Sequence, residues 1–408
     1  RSKDLDQLRV LDCLTTSTFI DPSLLDCHAE DSSEPDILGH ILRLKKVRRI
    51  IKKKTGSTLH LFFLSNDEKN NIRATYNLKK DKAINWFAVA DNQRNVKFYC
   101  HARYNSIHRV IEDERTRKNI MVKVIDSSHI CIEKIKQQLS LQPISFVDVQ
   151  KDATVSSPFN ALVVGFSEVG HDAVRFLYEF GSFVKTGSNT SHVERSPFHC
   201  HVIDHSMKGM AGFFASNAPS IHVVKSFQND SPSTTPLITM HEMDCTSAAF
   251  YQQLECWIKN LHYIVLSTDD DELNISLGVR IFKMAVRYRG NLDRFCILVR
   301  AHQDDDGHIR RIANHYNRLW AADQKSKDEN HLHQMSITTQ EQVAFPLVVF
   351  GLDDETFTFD YVIYDRLTQE AMDYKKQYDK CIYGPDTTEG AKIIQVITNF
   401  DTALKWIR

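Results

Sequence analysis

The chain has 408 residues, of which 42% are hydrophobic and 25% charged, a composition of soluble globular protein with room for two or three domains. Its formal net charge of −1 gives no global electrostatic case for a nucleic-acid partner. Nine cysteines, an odd number with no Cys-x-x-Cys pair, fit a reducing cytosol better than a disulfide framework; no apolar run reaches membrane-spanning length and no signal peptide is visible.

Residues 1 to about 35 are polar with short apolar patches. Asp36 can cap a helix running to about Lys54, with Ile37, Leu38, Ile41, Leu44, Val47 and Ile51 as its buried stripe and a lysine- and arginine-rich opposite face. That basic face reads first as solvated, with anionic lipid or a polyphosphate as the alternative contact. Leu59 to Leu64 forms a strand that breaks into Ser65-Asn66-Asp67, and a helix follows with Ile72, Thr75 and Leu78. Strands are predicted at 96–103 and 122–126, a helix at 130–139, and a domain boundary in the serine-rich stretch from Lys151 to Asn160.

The chain is organised around the stretch from Ala161 to Asp204. Ala161-Leu162-Val163-Val164 has the length and branching of a strand buried on both faces. Gly165-Phe166-Ser167-Glu168-Val169-Gly170 follows, then a helical pattern with Ala173, Val174, Leu177 and Phe180 on one side. A second strand, Cys200 to Ile203, ends in Asp204. Strand, glycine turn, helix, strand and acid make the order of a dinucleotide-binding unit, in which helix-start N–H groups attract phosphate and the acid accepts from ribose hydroxyls. The pattern departs at two points. Ser167 replaces the middle glycine, and Asp204 follows the turn by about thirty residues rather than about twenty, because a polar segment (Thr186 to Pro197) intervenes.

Beyond Asp204, strands are expected at 221–224 and 237–240, the latter leading to Asp244. A helix spans about Ser247 to Asn260 with Phe250, Leu254 and Trp257. A strand at 261–268 leads to Asp269-Asp270-Asp271, Asn274 opens a helix, and a strand ends in Arg300. Leu59-His-Leu-Phe-Phe-Leu-Ser-Asn-Asp67 aligns with Leu261-His-Tyr-Ile-Val-Leu-Ser-Thr-Asp269, Asn71-Ile72 with Asn274-Ile275, and the strand ending in Arg103 with the one ending in Arg300. This self-similarity is the mark of a duplicated unit. The fold expected is α/β: tandem Rossmann-like domains with parallel sheets, the first (1–150) incomplete at its N-terminal side, the second at 151–320. Residues 321–408 are expected to form a charged linker (Asp323 to Asn330) and a small C-terminal α+β domain with a strand at Leu347 to Gly351 and a helix from Tyr364 to Lys380.

The second unit resembles the TrkA-N or RCK domains that regulate potassium channels and transporters. The matching residues are Gly165 and Gly170, Ile203-Asp204, Asp244, Leu266-Ser-Thr-Asp-Asp-Asp-Glu-Leu-Asn274 and the strand ending in Arg300. Tandem units look like the channel-associated arrangement, including CASTOR/POLLUX-like ion channels; the tail, with Phe350-Gly351 and Ile363-Tyr-Asp-Arg-Leu367, faintly resembles ryanodine-receptor repeats. The resemblance implies sensing of a nucleotide or ion, gating by conformational change, a homo-oligomer (a dimer or higher), no catalysis, and a membrane pore upstream on a longer chain. The expected location is cytoplasmic, as the soluble part of a membrane-associated protein. The ligand is not identified by the residues; NAD(H) and adenine nucleotides are the candidates. Ligand contacts are expected from Gly165, Phe166, Ser167, Glu168, Val169, Gly170, Asp204, Asp244, Asp269, Asn274 and Arg300.

Other chemistry is less pronounced. His199 and His201 face one way along their strand and Cys200 the other, so the three cannot ligate one ion, and no metal site is expected. Asp304-Asp305-Asp306 reads as a solvated acidic loop, whereas Asp269 to Asp271 sits at a strand's carboxyl end, where open α/β sheets bind ligands. Arg300 can pair with those acids or meet a phosphate. The competing function is an NAD(P)-dependent oxidoreductase on the same turn. It requires a general acid or base beside the cofactor, and none stands out from spacing.

Overall fold

A computed structural model of the chain describes residues 58–64, 68–79, 95–103, 120–187, 193–218, 221, 223–225, 237–304, 306–328 and 345–364, with 366, 369 and 373. The expected basic helix at 36–54 and most of the expected helix from Tyr364 lie outside the described residues. The chain divides into two compact units, Arg1–Asp126 and Ser127–Arg408.

In the first unit, strand β1 (Thr58–Phe63) leads into helix α1 (Glu68–Lys79), then β2 (Asn95–His101) and β3 (Ile120–Ile125). The three strands pair in parallel in the order β1-β2-β3. Val96, Phe98 and Cys100, at alternate positions of β2, are fully buried and cover one face of this middle strand, with Tyr99 buried on the other.

The second unit opens with helix α2 (Ser127–Lys136), which the sequence places on the other side of a boundary near residue 150. Cys131, Ile132 and Ile135 of α2 join Leu141, Phe146 and the sheet residues Val163 and Leu298 in one core cluster, so the break falls after Asp126. The serine-rich stretch is a turn inside the unit, bridged from Val149 to Val155.

Then follow β4 (Phe159–Val164), α3 (Glu168–Phe180), the short strands β5 (Val184–Thr186) and β6 (Val193–Arg195), β7 (Phe198–Asp204), α4 (Met207–Asn217), β8 (Val223–Lys225), β9 (Leu237–Glu242), α5 (Ala248–Trp257), β10 (Tyr263–Leu266), α6 (Asp271–Arg289), β11 (Cys296–Arg300), α7 (His308–Asp328) and β12 (Leu347–Phe350). Two single turns of helix, α8 (Asp353–Thr356) and α9 (Phe359–Val362), follow. Seven strands form one parallel sheet in the order β12-β11-β10-β4-β7-β9-β8. Without the edge strand β8, the six others run 3-2-1-4-5-6 in their own chain order, the arrangement of dinucleotide-binding sheets. The protein is therefore α/β with Rossmann-like parallel sheets.

The antiparallel pair β5–β6 occupies the polar segment between α3 and β7, and so accounts for the long interval before Asp204. One face of the sheet packs against α2 and α3 through Ala173, Val174, Phe176 and Leu177. The other is covered through Phe250 and Leu254 of α5, Ile275, Leu277 and Ile281 of α6, and Ile309 and Ala313 of α7.

Three expectations are corrected. Leu347 to Phe350 does not begin a separate tail, because β12 pairs with β11 over Ile297–Arg300 and becomes the sixth strand of the sheet. Residues 323–328 are not a linker but the end of the 21-residue helix α7. Asp304 is not solvated: its side chain has no exposure and accepts from Ile309 N (2.8 Å), Arg310 N (3.1 Å) and Arg310 Nε (3.0 Å) at the start of α7. Burial raises its pKa, but these donors outweigh that and hold the carboxyl below its ordinary value.

Parallel pairing also bears on the duplication. The order β1-β2-β3 repeats β10-β11-β12, with α1 and α6 as the first crossover helices in each. Buried Asn71 on α1 donates from Nδ2 to His101 O at 2.9 Å; buried Asn274 on α6 donates from Nδ2 to Arg300 O at 3.1 Å. Arg103 and Arg300, however, are not alike: Arg103 lies beyond the end of β2 with its side chain 55% exposed against Glu68, and Arg300 is buried.

Candidate functional site

The turn between β4 and α3 lies at the carboxyl edge of the sheet, where the strand order reverses between β4 and β10. Gly165 has φ 88° and an added Cβ would stand 2.5 Å from Thr268 N, so both conformation and space require glycine. Its N–H donates to Ile203 O (2.9 Å), and its carbonyl accepts from Ser267 Oγ (2.8 Å). Gly170 is required by the same contact, since a Cβ there would collide with Gly165 O. The turn is thus held to β7 on one side and to the end of β10 on the other.

Asp204 reaches back from the end of β7 to this turn. Its Oδ2 accepts from Phe166 N (2.8 Å) and its Oδ1 from Ser206 N (2.7 Å), with His205 Nδ1 3.6 Å from Oδ1. An ionised carboxylate has about four acceptor positions, so two donors leave capacity for ribose hydroxyls. Ser167 is the N-cap residue of α3, but its side chain caps no N–H of the first turn. That helix start, with Glu168 in its first turn, is where a phosphate would meet N–H donors.

Asp244 follows β9 and is exposed, and β9 lies beside β7 with Met243 N donating to Asp204 O (3.0 Å). Its Oδ1 accepts from Thr246 N and Thr246 Oγ1, both at 2.7 Å. These bonds, and then the nearby His205, hold its carboxyl below the ordinary value, outweighing a small desolvation effect.

The structure brings together the turn (Gly165, the Phe166 N–H, Ser167, Glu168), Asp204 and Asp244. It directs the other expected contacts elsewhere. The Phe166 ring is fully buried, 4.4 Å from the His171 ring centroid and 5.2 Å from that of Phe214, and Val169 is 7% exposed; apolar bulk turns both side chains into the core. Asp269 is exposed on the loop before α6, while its neighbours carry the local hydrogen bonds. Asp270 caps α6 by accepting from Leu273 N (2.9 Å). Asp271 accepts from His302 N (2.7 Å), His302 Nδ1 (2.9 Å) and Gln303 N (3.1 Å).

Asn274 is fully buried and fully bonded. Its Oδ1 accepts from Thr268 N (3.1 Å) and Thr268 Oγ1 (2.6 Å), and its Nδ2 donates to Thr268 O (2.9 Å) and Arg300 O (3.1 Å). It locks the loop after β10 to the end of β11, which leaves no group to offer a ligand. Arg300 is 2% exposed and makes no ion pair with Asp269 to Asp271. Its Nη1 donates to Cys131 Sγ (3.0 Å) and to Gly351 O, and its Nε has no partner. The guanidinium is therefore enclosed between α2 and the end of β12.

Ser267, Thr268, Cys131 and Gly351 complete these links and were not read from the sequence as structural partners; the Ser-Thr pair directly after a strand was the available signal. A separate depression of about 360 Å³, lined by Lys259, Tyr288, Arg289, Asn291 and Asp293, lies at the opposite edge of the sheet. There Arg289 Nη1 donates to the carbonyls of Ile258, Lys259 and Leu261, closing the end of α5. Among the described residues, no helix is long and apolar enough to cross a membrane. Neither a scan of protein-family models nor a search of curated proteins finds a match to this chain.

Proposed function

We propose that the chain is the ligand-sensing regulatory part of an ion channel or transporter, potassium being the expected ion, with a nucleotide bound at the β4–α3 turn. The observation that carries the reading is the turn itself: Gly165 in the left-handed region, an N-cap whose side chain caps no N–H, and Asp204 hydrogen-bonded to Phe166 N at 2.8 Å. Phosphates would lie against the first turn of α3 and the ribose against the unused acceptor positions of Asp204. The regulatory role, rather than an oxidoreductase, is favoured by the repeated half-sheet β1-β2-β3 and β10-β11-β12, because tandem units suit a sensor in which ligand shifts packing between states. Assembly as a homo-oligomer belongs to the same reading.

Isothermal titration of the whole chain with NAD⁺, NADH, ATP and ADP tests it. One of them should bind, and Asp204→Ala should weaken that ligand about tenfold to a hundredfold, as expected for about 1.5–3 kcal/mol of charged hydrogen bonding. No binding by the folded wild type, or full affinity in folded Asp204→Ala, overturns the assignment.

A further inference from the structure

The carboxyl edge of the sheet carries a second oriented group, on the far side of the glycine turn from Asp204. In the order β11-β10-β4-β7, β7 with Asp204 adjoins β4 on one side. On the other side β11 is the second strand away, about 10 Å from β4 at the usual strand spacing. His302 follows the end of β11 by two residues, and its ring meets Asp271 at the start of α6 with Nδ1 2.9 Å from Oδ1. Asp271 Oδ2 accepts from His302 N (2.7 Å) and Gln303 N (3.1 Å), so both carboxylate oxygens hold the loop after β11. The His302 side chain is 39% exposed, and its Nε2 has no hydrogen-bond partner among the described residues.

Hydrogen bonds tie this pair to the turn. Ser267 Oγ donates to Gly165 O (2.8 Å), and Asn274 holds both the next residue, Thr268, and Arg300 O, two residues before His302. Burial raises the Asp271 pKa, but the bonds from His302 and Gln303 outweigh it and hold the carboxyl below its ordinary value. The ionised carboxylate accepts from Nδ1–H, which leaves Nε2 of the neutral ring as an acceptor.

We propose that the site takes a dinucleotide rather than a mononucleotide: its second nucleoside lies over the ends of β10 and β11, where a ribose hydroxyl donates to His302 Nε2, and Asp271 is the positioning residue. This rests on the nucleotide reading of the β4–α3 turn. A mononucleotide with its phosphates on the first turn of α3 and its ribose at Asp204 covers only the β7 side. A dinucleotide crosses the point where the strand order reverses and reaches both sides. A longer phosphate tail on the β10 side meets the carboxylates of Asp269, Asp270 and Glu272 instead, where like charges repel. NAD⁺, whose nicotinamide is a cation, suits both features.

Titration of the whole chain with NAD⁺, ADP and ATP by calorimetry tests the proposal. NAD⁺ should bind at least fivefold more tightly than ADP or ATP. His302→Ala should weaken NAD⁺ about fivefold to tenfold, as for one lost hydrogen bond, and leave ADP unchanged, so that ADP also reports correct folding. Asp271→Asn should lower NAD⁺ affinity in the same selective way, whereas a purely structural role would lower both. In the wild type, NAD⁺ should shift the His302 ring resonances by NMR and ADP should not. Equal affinity for NAD⁺ and ADP, tighter binding of ATP, unchanged NAD⁺ affinity in His302→Ala, or equal losses for both ligands overturns the dinucleotide assignment while the turn remains a nucleotide site. Binding of none of the three by folded wild type overturns both.

Discussion

Asn274→Ala separates a structural lock from a ligand contact. The side chain makes four hydrogen bonds, two accepted from Thr268 and two donated to Thr268 O and Arg300 O. At about 1 kcal/mol net each they total about 4 kcal/mol. Thr268 is half-buried, so water can recover part of its loss, and the expected cost is about 3 kcal/mol. For a unit of this size that lowers Tm by about 6–12 °C. Asn274→Asp should do no better, because it keeps the two acceptor bonds but turns lone pairs towards two carbonyls in a fully buried place. Urea denaturation followed by circular dichroism reads both variants. A loss below about 1 kcal/mol for Asn274→Ala, or wild-type stability in Asn274→Asp, would refute the reasoning, and a stable variant with lost nucleotide affinity would return Asn274 to the ligand site.

Two further predictions concern buried charge. Arg300→Met should leave stability unchanged or raise it, since the guanidinium is 2% exposed, has an unpartnered Nε and forms no ion pair among the described residues; a loss above about 2 kcal/mol in the same denaturation assay would contradict this. His262 is held at a pKa of about 4 by burial and then by Arg289 and Arg294, and its Nδ1 accepts from Asn160 N at 3.2 Å, a bond only the unprotonated nitrogen makes. The unfolded chain takes up a proton near pH 6.5 and the folded chain only near pH 4, so this contribution is full above pH 6.5 and is lost as pH falls towards 4. By pH 5.5 the loss is about 1.4 kcal/mol, and His262→Gln, which keeps an acceptor for Asn160 N, should remove that part of the pH slope; an unchanged slope refutes it.

The parts of the fold legible in the sequence are those where one segment suffices to define its own burial. Leu162, Val163 and Val164 read as a strand covered on both faces and are fully buried, and Ala173, Val174 and Leu177 mark the inner side of α3. What went unread depends on partners far along the chain. Leu347 to Phe350 has the same apolar character, but only pairing with β11 decides that it joins the sheet, and parallel pairing across a helix leaves no local turn signal. The serine-rich stretch at 151–160 looks like a linker because turns and linkers share composition. The division instead falls just before α2, whose apolar side packs in the second unit's core.

The site shows the same limit at the scale of single residues. Gly165 and Gly170 were legible because no other residue meets the requirements of the turn, and Asp204 because it ends the next strand. Asp304 was read as solvated, Asn274 as a ligand contact and Arg300 as a partner of the nearby acids or of a phosphate, and each is committed inward by a partner the local sequence does not name: the first turn of α7, the loop at Thr268, and Gly351 with Cys131. The histidines follow the same logic in reverse. Alternation along β7 separates Cys200 from His199 and His201 and removes a three-ligand site on one strand. His241, forty residues on, comes beside His201 because the parallel register pairs Ile203 with His241. A one-residue slip would put His241 on the α3 face, so the His201–His241 contact depends on register, and the register is set by which side chains of β9 each core can bury.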